Sequence, residues 1–338
     1  MAAKAAAAQS SKLARLSHIA DKEARRGRPV GSRAKPATAA AIQAAQDAVF
    51  GPLALEGVEL EINPRSRTHM NPLAMHISAP VPAPSEWGFA DPSLPLFVDV
   101  GCAAGRFALL MASKPASEIP MQELVNVNFL GMEIKPKLVE RAQTWAAARQ
   151  LSHRVQFIQA SANSSLEGIC RGYPGPVRCI CVQFPDPHFK RKHHKRRVVD
   201  SAFLRVVINV LEDKGFLFVQ SDVEEAAAQM RDRADMVPEL ERLGEYSPRD
   251  ALLDACEVCA GTTASEAYWT QDGKRALEGG TDYGDWRLGP NPLGTPTERE
   301  VQNETLGQPI FRALYRRKPR SSSGSAAGGD GSADGECN

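Results

Sequence analysis

The sequence predicts an α/β domain built on a mainly parallel sheet with helices on both of its faces. Short apolar segments rich in β-branched and aromatic residues alternate with segments whose apolar residues recur at helical spacing. Glycine or polar residues stand directly after several of the apolar segments, where a parallel sheet gathers its ligand-binding groups. Together these features predict the fold class and the edge of the sheet at which a ligand would bind.

The short apolar segments are predicted to be strands. The first of them, residues 94–101, ends in glycine, and most of the later ones have the short length and the Val, Ile and Phe content typical of buried strands. The predicted strands are residues 94–101, 128–134, 155–160, 177–184, 215–222 and 309–317.

The segments with helical spacing are predicted to be helices that connect these strands. Residues 198–211, for example, are amphipathic, with Val, Leu and Ile recurring between polar residues. The predicted helices are residues 107–114, 137–151, 198–211 and 223–235. Helical crossovers between strands favour a parallel sheet, because parallel neighbours cannot be joined by a tight turn.

Length and composition indicate one main globular domain with appendages. The chain has 338 residues, of which 43% are hydrophobic and 24% charged. No apolar segment is long enough to span a membrane, so we expect no membrane partner. The formal net charge is +1, so only local clusters of charge can indicate a polyanionic partner. We place the domain at residues 61–318.

The two terminal segments have compositions typical of disorder. Residues 1–60 are rich in Ala, Ser, Lys and Arg and poor in aromatic residues, and they are predicted to form a largely disordered basic segment. Such a segment fits either an organelle transit peptide, plastid or other, or a basic tail that helps to hold RNA. Residues 319–338 form a low-complexity tail.

The cysteines do not predict a disulfide framework or a metal site. Their number, seven, is odd and their spacing is scattered, which fits a reducing compartment. Cys256 and Cys259 form one C-x-x-C pair, but no second Cys or His pair follows at a spacing that would complete a zinc site.

A glycine-containing turn follows the first predicted strand and opens the first predicted helix. Asp99 and Gly101 end the strand and Gly105 precedes the helix, so the backbone can turn sharply and approach a ligand closely. A dinucleotide fingerprint would need glycine at the positions of Ala103 and Arg106, so a nicotinamide or flavin cofactor is disfavoured. The sequence also lacks a phosphate-binding P-loop.

Polar residues also follow the second and third predicted strands. Glu133 ends the second strand, where a carboxylate can accept hydrogen bonds from both hydroxyls of a ribose. Ser161 and Ala162 follow the third strand, where polar groups can meet an adenine edge. Ligand positions at three successive strand ends, without phosphate-binding chemistry, indicate a nucleoside ligand that lacks phosphates. S-adenosylmethionine is the common ligand of this kind.

The fourth predicted strand ends in an acid held between two prolines. Pro185 and Pro187 restrict the backbone on either side of Asp186, so the carboxylate sits on a stiff loop. An acid between prolines is common in ordinary turns. Here, however, a run of six Lys or Arg and two His begins at Lys190 and ends at Arg197, which favours contact with phosphates near the acid.

Four motifs resemble those of the TrmB-type tRNA (guanine-N7)-methyltransferases. They lie at residues 184–197 (FPDPHFKRKHHKRR), 220–222 (QSD), 296–300 (PTERE) and 307–312 (GQPIFR). The resemblance extends from about residue 66 to residue 318. The sequence at residues 71–73, 92–101 and 173–176 resembles that of the plant and algal branch.

This resemblance implies a Rossmann-like class I methyltransferase fold, S-adenosylmethionine as methyl donor and tRNA as substrate. The implied target atom is N7 of the variable-loop guanine at tRNA position 46. Fungal and animal members work with a WD-repeat partner and bacterial members work alone. The resemblance does not decide which of these applies to this chain. The implied cofactor-binding residues are Asp99, Gly101, Gly105, Glu133, Ser161, Ala162 and Asp186. The implied catalytic residue is Asp186, and the implied substrate-binding residues are Lys190, Asp222, Thr297, Glu298, Arg299 and Glu300.

Two departures from the family pattern bear on the cofactor site. Ser161 stands where relatives usually have Asn or Asp, so a hydroxyl replaces the usual amide or carboxylate beside the adenine. Residues 102–104 (CAA) replace a more glycine-rich loop, although small alanines can follow the same path.

Two alternative functions must be distinguished from tRNA methylation. A catalytically silent RNA-binding subunit would be indicated by the loss of Asp186, Glu133 or Thr297, and all three are present. A small-molecule methyltransferase would have no use for the basic run after Asp186. A salt titration of tRNA affinity separates this second alternative, because only phosphate contacts make affinity fall with salt.

Overall fold

The computed structural model describes residues 39–55, 81, 83–188, 196–248, 285–287 and 289–320, which carry seven α-helices and nine strands. The helices are α1 (Ala39–Phe50), α2 (Arg106–Ser113), α3 (Pro136–Ala148), α4 (Ala162–Gly172), α5 (Ser201–Val210), α6 (Glu224–Asp235) and α7 (Glu298–Thr305). The strands are β1 (Leu96–Val100), β2 (Asn128–Glu133), β3 (Val155–Gln159), β4 (Val177–Gln183), β5 (Leu211–Ser221), β6 (Leu240–Arg242), β7 (Tyr246–Pro248), β8 (Asp285–Arg287) and β9 (Phe311–Arg317).

Seven of these strands form one sheet in the order β3-β2-β1-β4-β5-β9-β6. Strands β1 to β5 pair in parallel, and β9 pairs antiparallel with both β5 and β6. The strand order reverses between β1 and β4, because the chain builds outward to β3 and then returns to the middle of the sheet. This topology confirms the predicted Rossmann-like α/β fold, and it places the ligand-binding crevice at the carboxyl ends of β1 and β4.

The sheet is buried on both faces, as the near-continuous apolar strands require. Along β1, Phe97 packs into a cluster with residues of α2 and α3, whereas Leu96 and Val98 pack into a second cluster with residues of α4 and α5. Alternate side chains of one strand therefore serve two separate cores.

All six predicted strands and all four predicted helices are present, with shifted boundaries. The predicted helix at 198–211 starts only at Ser201, because the Asp200 carboxylate accepts a hydrogen bond from Phe203 N at 2.8 Å and caps the helix. This helix ends at Val210, and β5 begins directly at Leu211 rather than near residue 215. The elements that sequence reasoning missed are α1, α4, α7 and the short strands β6, β7 and β8.

The N-terminal segment corrects one prediction. Residues 1–60 were expected to be largely disordered, but within them α1 is helical, and Phe50 at its end and Leu53 and Leu55 after it are buried in the core. Gln46 Nε2 also donates to Glu298 O at 3.3 Å, which joins α1 to α7. Averaging the composition over sixty residues concealed this short apolar segment. Residues 1–38 and 56–60 lie outside the described part of the chain.

Three further features concern membranes and metals. Among the described residues, no helix has the length and apolar character needed to cross a bilayer. Within the same ranges, no group of three His, Cys, Asp or Glu side chains is placed to hold a metal ion. The Cys256–Cys259 pair lies outside the described residues.

Candidate active site

The turn after β1 uses its two glycines differently. Gly101 and Gly105 both have left-handed backbone angles, with φ of +80° and +76°. A Cβ on Gly105 would lie 2.4 Å from ring atoms of Phe157, so this position is closed by packing of the loop against β3. A Cβ on Gly101 would meet no atom within 4 Å, so the backbone there faces open space that a ligand can enter.

Glu133 ties this turn to the end of β2. Its Oε2 accepts a hydrogen bond from Ala103 N at 3.2 Å, and its Oε1 accepts one from Lys135 N at 3.0 Å. The side chain is 8% exposed, and burial raises the pKa of its carboxyl above the ordinary value. Each carboxylate oxygen has further lone pairs, so a ribose hydroxyl can be added to these contacts.

Asp99 lies in β1, directly before the turn, and is 3% exposed. The thiol of Cys181 donates to its Oδ1 at 3.2 Å, and Gln183 is a second hydrogen-bond partner. Burial raises the pKa of the Asp99 carboxyl to about 6, these two hydrogen bonds oppose the rise, and the nearby Glu133 charge adds to it. Asp99 and Glu133 thus form an acidic pair beside the open space at Gly101.

The raised pKa of Asp99 predicts that its contribution to stability falls as pH rises from about 4 to 7. Below the ordinary pKa of 3.8 the carboxyl is protonated in both states, whereas above about 6 folding buries a charge. Between pH 3.8 and pH 6, we expect the free energy of unfolding of Asp99→Asn to rise by about 2 kcal/mol relative to that of wild type. Urea unfolding of both proteins at each pH measures this, and a difference independent of pH would contradict it.

Ser161 and Ala162 lie where the sequence predicted, between β3 and α4. Ser161 is buried and immediately precedes the helix, and Ala162 is its first residue. Both positions therefore stand at the carboxyl end of the sheet, alongside Glu133. A contact of Ser161 with an adenine edge stays a prediction.

The loop after β4 carries Asp186 to the same edge of the sheet. Phe184 and His188, on either side of the Pro-Asp-Pro sequence, both have left-handed backbone angles, with φ of +51° and +46°. Such angles are costly for residues other than glycine, and they persist only where surrounding contacts hold them. Asp186 is exposed, so its carboxylate is accessible to solvent.

Arg197, the last residue of the basic run, corrects the interpretation of that run. It was expected to contact phosphate with the rest of the run, but it is only 7% exposed and its guanidinium points into the protein. Its Nε donates to Pro187 O at 2.8 Å and its Nη2 pairs with Glu225 at 3.2 Å. Residues 189–195, which include Lys190, lie outside the described part of the chain.

Asp222 follows β5 and is paired with Arg299 of α7. Arg299 Nε and Nη2 both donate to Asp222 Oδ2, at 2.9 and 2.5 Å. The Arg299 side chain is 42% exposed, against 14% for Asp222. The pair therefore leaves part of the guanidinium open at the surface beside the site.

The other residues of the 296–300 motif also have partners within the protein. Thr297 caps α7 in a capping box with Glu300, because its Oγ1 accepts from Glu300 N at 3.1 Å and the Glu300 side chain accepts from Thr297 N. Glu298 pairs with Arg106 at 2.6 Å, which links α7 to the first residue of α2. Direct contact of this motif with a substrate stays a prediction, and the structure gives each polar side chain a structural partner.

Glu300 lies at the centre of a buried polar network. The side chain is 1% exposed, and its carboxylate accepts hydrogen bonds from Arg312 at 2.7 Å, Asn291 at 2.8 Å and Gln220 at 3.0 Å. Gln220 Nε2 also donates to Gln183 Oε1 at 2.8 Å, and Gln183 bonds Asp99. The network thus crosses the carboxyl ends of β1, β4 and β5 and connects the acidic pair to α7.

Sequence reasoning missed most members of this network. Gln183 precedes the loop of Asp186 and resembles an ordinary strand residue, and Asn291 was not singled out. Gln220 begins the 220–222 motif, but that motif does not show which side chains Gln220 would bond. Arg312 ends the 307–312 motif, so this signal was available, but nothing in the sequence identified its partner.

Comparison with known proteins decides the family. The sequence model of a family described as "Putative methyltransferase" matches residues 93–278, more than half of the chain. A protein of Nostoc sp. named tRNA (guanine-N(7)-)-methyltransferase is 33% identical over 256 residues, which is 75% of this chain and 94% of that protein. The chain belongs to the tRNA (guanine-N7)-methyltransferase family.

Further members of the family show a similar extent of likeness. A Synechococcus protein of the same name is 33% identical over 265 residues, covering 78% of this chain and 90% of that protein. The Synechocystis protein is 31% identical over 257 residues, covering 75% and 98%. Among solved structures, a Streptococcus thermophilus rRNA methylase aligns with a TM-score of 0.35 and 9% identity, over 75% of this chain and 99% of that one. Membership of the plant and algal branch stays a prediction.

The candidate site residues of this chain lie on two sides of the ligand-binding crevice. The acidic pair and the open space at Gly101 lie on the side of β1 and β2, whereas Asp186 and Asp222 follow β4 and β5. The site can therefore hold a nucleoside-type cofactor on one side of the reversal in strand order and a second reactant on the other.

Proposed function

We propose that this chain transfers the methyl group of S-adenosylmethionine to N7 of a guanine in tRNA, and that the guanine is the one at position 46 in the variable loop. The observation that carries the proposal is the position of Asp186. The Pro-Asp-Pro loop presents this acid beside the reversal in strand order, across from Asp99 and Glu133.

The residues on the β1–β2 side fit the cofactor. Glu133 offers carboxylate lone pairs to a ribose, and Gly101 leaves space for close approach of a ligand to the backbone. Asp99 supplies negative charge close to where a cationic amino acid moiety would lie. S-adenosylmethionine, when bound, supplies a methyl group on a positively charged sulfur. Ser161 and Ala162 would border the adenine.

The methyl transfer requires no proton transfer to activate the nucleophile. Guanine N7 carries a lone pair and no proton, so no general base is needed to uncover the nucleophile. The base gains positive charge as it is methylated, and a carboxylate held close to it stabilises that charge. We assign this role to Asp186, which can also accept hydrogen bonds from the N1–H and N2–H edge of the guanine. The stiff loop keeps the carboxylate in place, which favours in-line orientation.

The substrate side is proposed to use Lys190, Asp222 and the 297–300 motif. The exposed part of the Arg299 guanidinium can meet a phosphate of the tRNA backbone beside Asp222. N7 is poorly reachable in the deep major groove of a continuous A-form helix, so the target guanine should lie in a loop or an irregular region. The variable loop of tRNA meets this condition.

The test uses purified full-length protein, labelled S-adenosylmethionine and unmodified tRNA transcripts, followed by borohydride and aniline cleavage, which cuts at 7-methylguanosine. We expect strong labelling and one cut in the variable loop. Labelling without that cut would keep a methyltransferase but overturn the N7 or position assignment. No labelling, alone or with a WD-repeat partner subunit added, would favour a silent RNA-binding protein.

Replacing Lys190 by alanine is expected to weaken tRNA binding and to make it less dependent on salt. Loss of one phosphate contact should lower the slope of log Kd against log salt by about one. Fluorescence titration of tRNA over a series of salt concentrations measures this, with Lys137→Ala on α3 as a control for loss of an exposed lysine. An unchanged slope for Lys190→Ala would contradict the phosphate contact.

A further inference from the structure

We propose that Arg197 is a positioning residue that holds the loop carrying Asp186 in its strained shape, and that it does not bind tRNA phosphate. The catalytic consequence of this proposal rests on the function proposed above. The structural consequence, a tethered loop between β4 and the basic run, does not.

The contacts of Arg197 are made to the loop itself. Its Nε donates to Pro187 O at 2.8 Å, and its Nη2 lies 3.5 Å from His188 O. These two carbonyls directly follow Asp186 in the chain. A single guanidinium therefore fixes the backbone on the C-terminal side of the proposed catalytic acid.

The same guanidinium is anchored to α6. Its Nη1 donates to Gln229 Oε1, and its Nη2 forms an ion pair with Glu225 at 3.2 Å. Because α6 begins two residues after Asp222, the anchor connects the loop of Asp186 to the element that follows Asp222. One residue thus couples the positions of both acids.

The loop needs such a tether because its backbone is strained. The left-handed backbone angles of Phe184 and His188 are energetically costly for residues other than glycine. Phe184 N is held by Gln220 O at 2.8 Å on the N-terminal side, and Arg197 supplies the donor on the C-terminal side. Without Arg197 the Pro187 and His188 carbonyls would lose the donor that opposes relaxation of the loop.

The position of Arg197 disfavours contact with a phosphate. The residue is buried, its charge is paired with Glu225, and all three of its nitrogens already donate to protein oxygens. A phosphate would have to displace these contacts before it could bind.

The experiment compares Arg197→Lys and Gln229→Ala with wild type. Lysine keeps the positive charge but cannot bond Pro187, His188 and the α6 anchors at once, so the loop should loosen. Gln229 has no charge, so its loss cannot remove an ionic contact with phosphate or lower the salt slope of binding, yet it removes one anchor of the guanidinium. Arg205→Lys is the matched control, because Arg205 is exposed on α5.

Two readouts are needed. Hydrogen exchange of residues 184–188 is measured by mass spectrometry, and the exchanging amides are those of Phe184, Asp186 and His188 because prolines have none. We expect faster exchange in Arg197→Lys and Gln229→Ala and no change in Arg205→Lys. For methyl transfer we expect kcat to fall about tenfold or more in Arg197→Lys, with KM for tRNA and the salt slope of binding close to wild type.

Unchanged loop exchange in both variants, or normal kcat together with a reduced salt slope, would overturn the positioning role. If Arg197→Lys does not fold, Gln229→Ala carries the test, since it keeps the guanidinium itself and removes only one of its two anchors on α6. If the wild-type protein does not methylate tRNA, the proposed function fails, and the exchange data still decide whether Arg197 tethers the loop.

Discussion

Replacing Asp186 by alanine is expected to lower kcat for tRNA methylation by about a hundredfold or more while leaving the fold intact. The carboxylate is proposed to stabilise positive charge that develops on the guanine, and removal of one such preorganised group typically costs two to three orders of magnitude, that is about 10²–10³. The side chain is exposed, so its loss should change the free energy of unfolding by less than about 1 kcal/mol. Transfer of label at saturating tRNA gives kcat, and thermal unfolding gives the stability.

Two further variants make this result specific. Asp186→Asn keeps the shape of the side chain and removes the charge, so it should be almost as inactive as the alanine variant. Glu167→Ala removes an exposed carboxylate on α4 that pairs with Arg171 on the same helix, and both activity and stability should stay near wild type. Near-normal turnover of Asp186→Ala would remove Asp186 from the catalytic role.

The sheet and the positions of its acids were predictable because they depend on local patterns. The parallel strands are short apolar segments, and their carboxyl ends meet at one edge whatever the details of packing. Asp99 and Glu133 lie in the last two residues of their strands, and Asp222 and Asp186 follow theirs by one and three residues, so their common location follows from strand ends alone.

Helix α7 was not predictable in the same way. Its sequence, EREVQNET, has almost no apolar periodicity, so no helical pattern is visible. The helix is held instead by a capping box and by ion pairs to Arg106 and Asp222, residues far away in the chain. The capping box joins two residues of the 296–300 motif, but the ion pairs become visible only when the fold is known.

The direction of Arg197 could not be predicted for a similar reason. A charge run is ordinarily a solvated or ligand-facing segment, and this residue differs from its neighbours in sequence in no obvious way. Its burial depends on Glu225 and Gln229, which lie on a later helix. The sequence therefore could not identify Arg197 as an inward-facing member of the basic run.

Disruption of the buried pair between Glu300 and Arg312 is expected to have the largest effect on stability. Both side chains are buried, and removal of one partner leaves the other charge uncompensated. We expect Arg312→Met to be destabilised by about 3 kcal/mol or more, which is a fall in Tm of roughly 6–12 °C for a domain of this size. Urea and thermal unfolding measure this loss.

The double variant separates the charge effect from a loss of packing. Glu300→Gln should also be destabilised, although Arg312 then keeps a contact with the more exposed Glu304 at 3.6 Å. In Glu300→Gln with Arg312→Met no uncompensated charge remains, so we expect the double variant to be less destabilised than the sum of the two single variants by at least about 1 kcal/mol. Strict additivity would mean that the two side chains stabilise the protein independently. In that case, the buried polar network around Glu300 would not act as one unit between the acidic pair and α7.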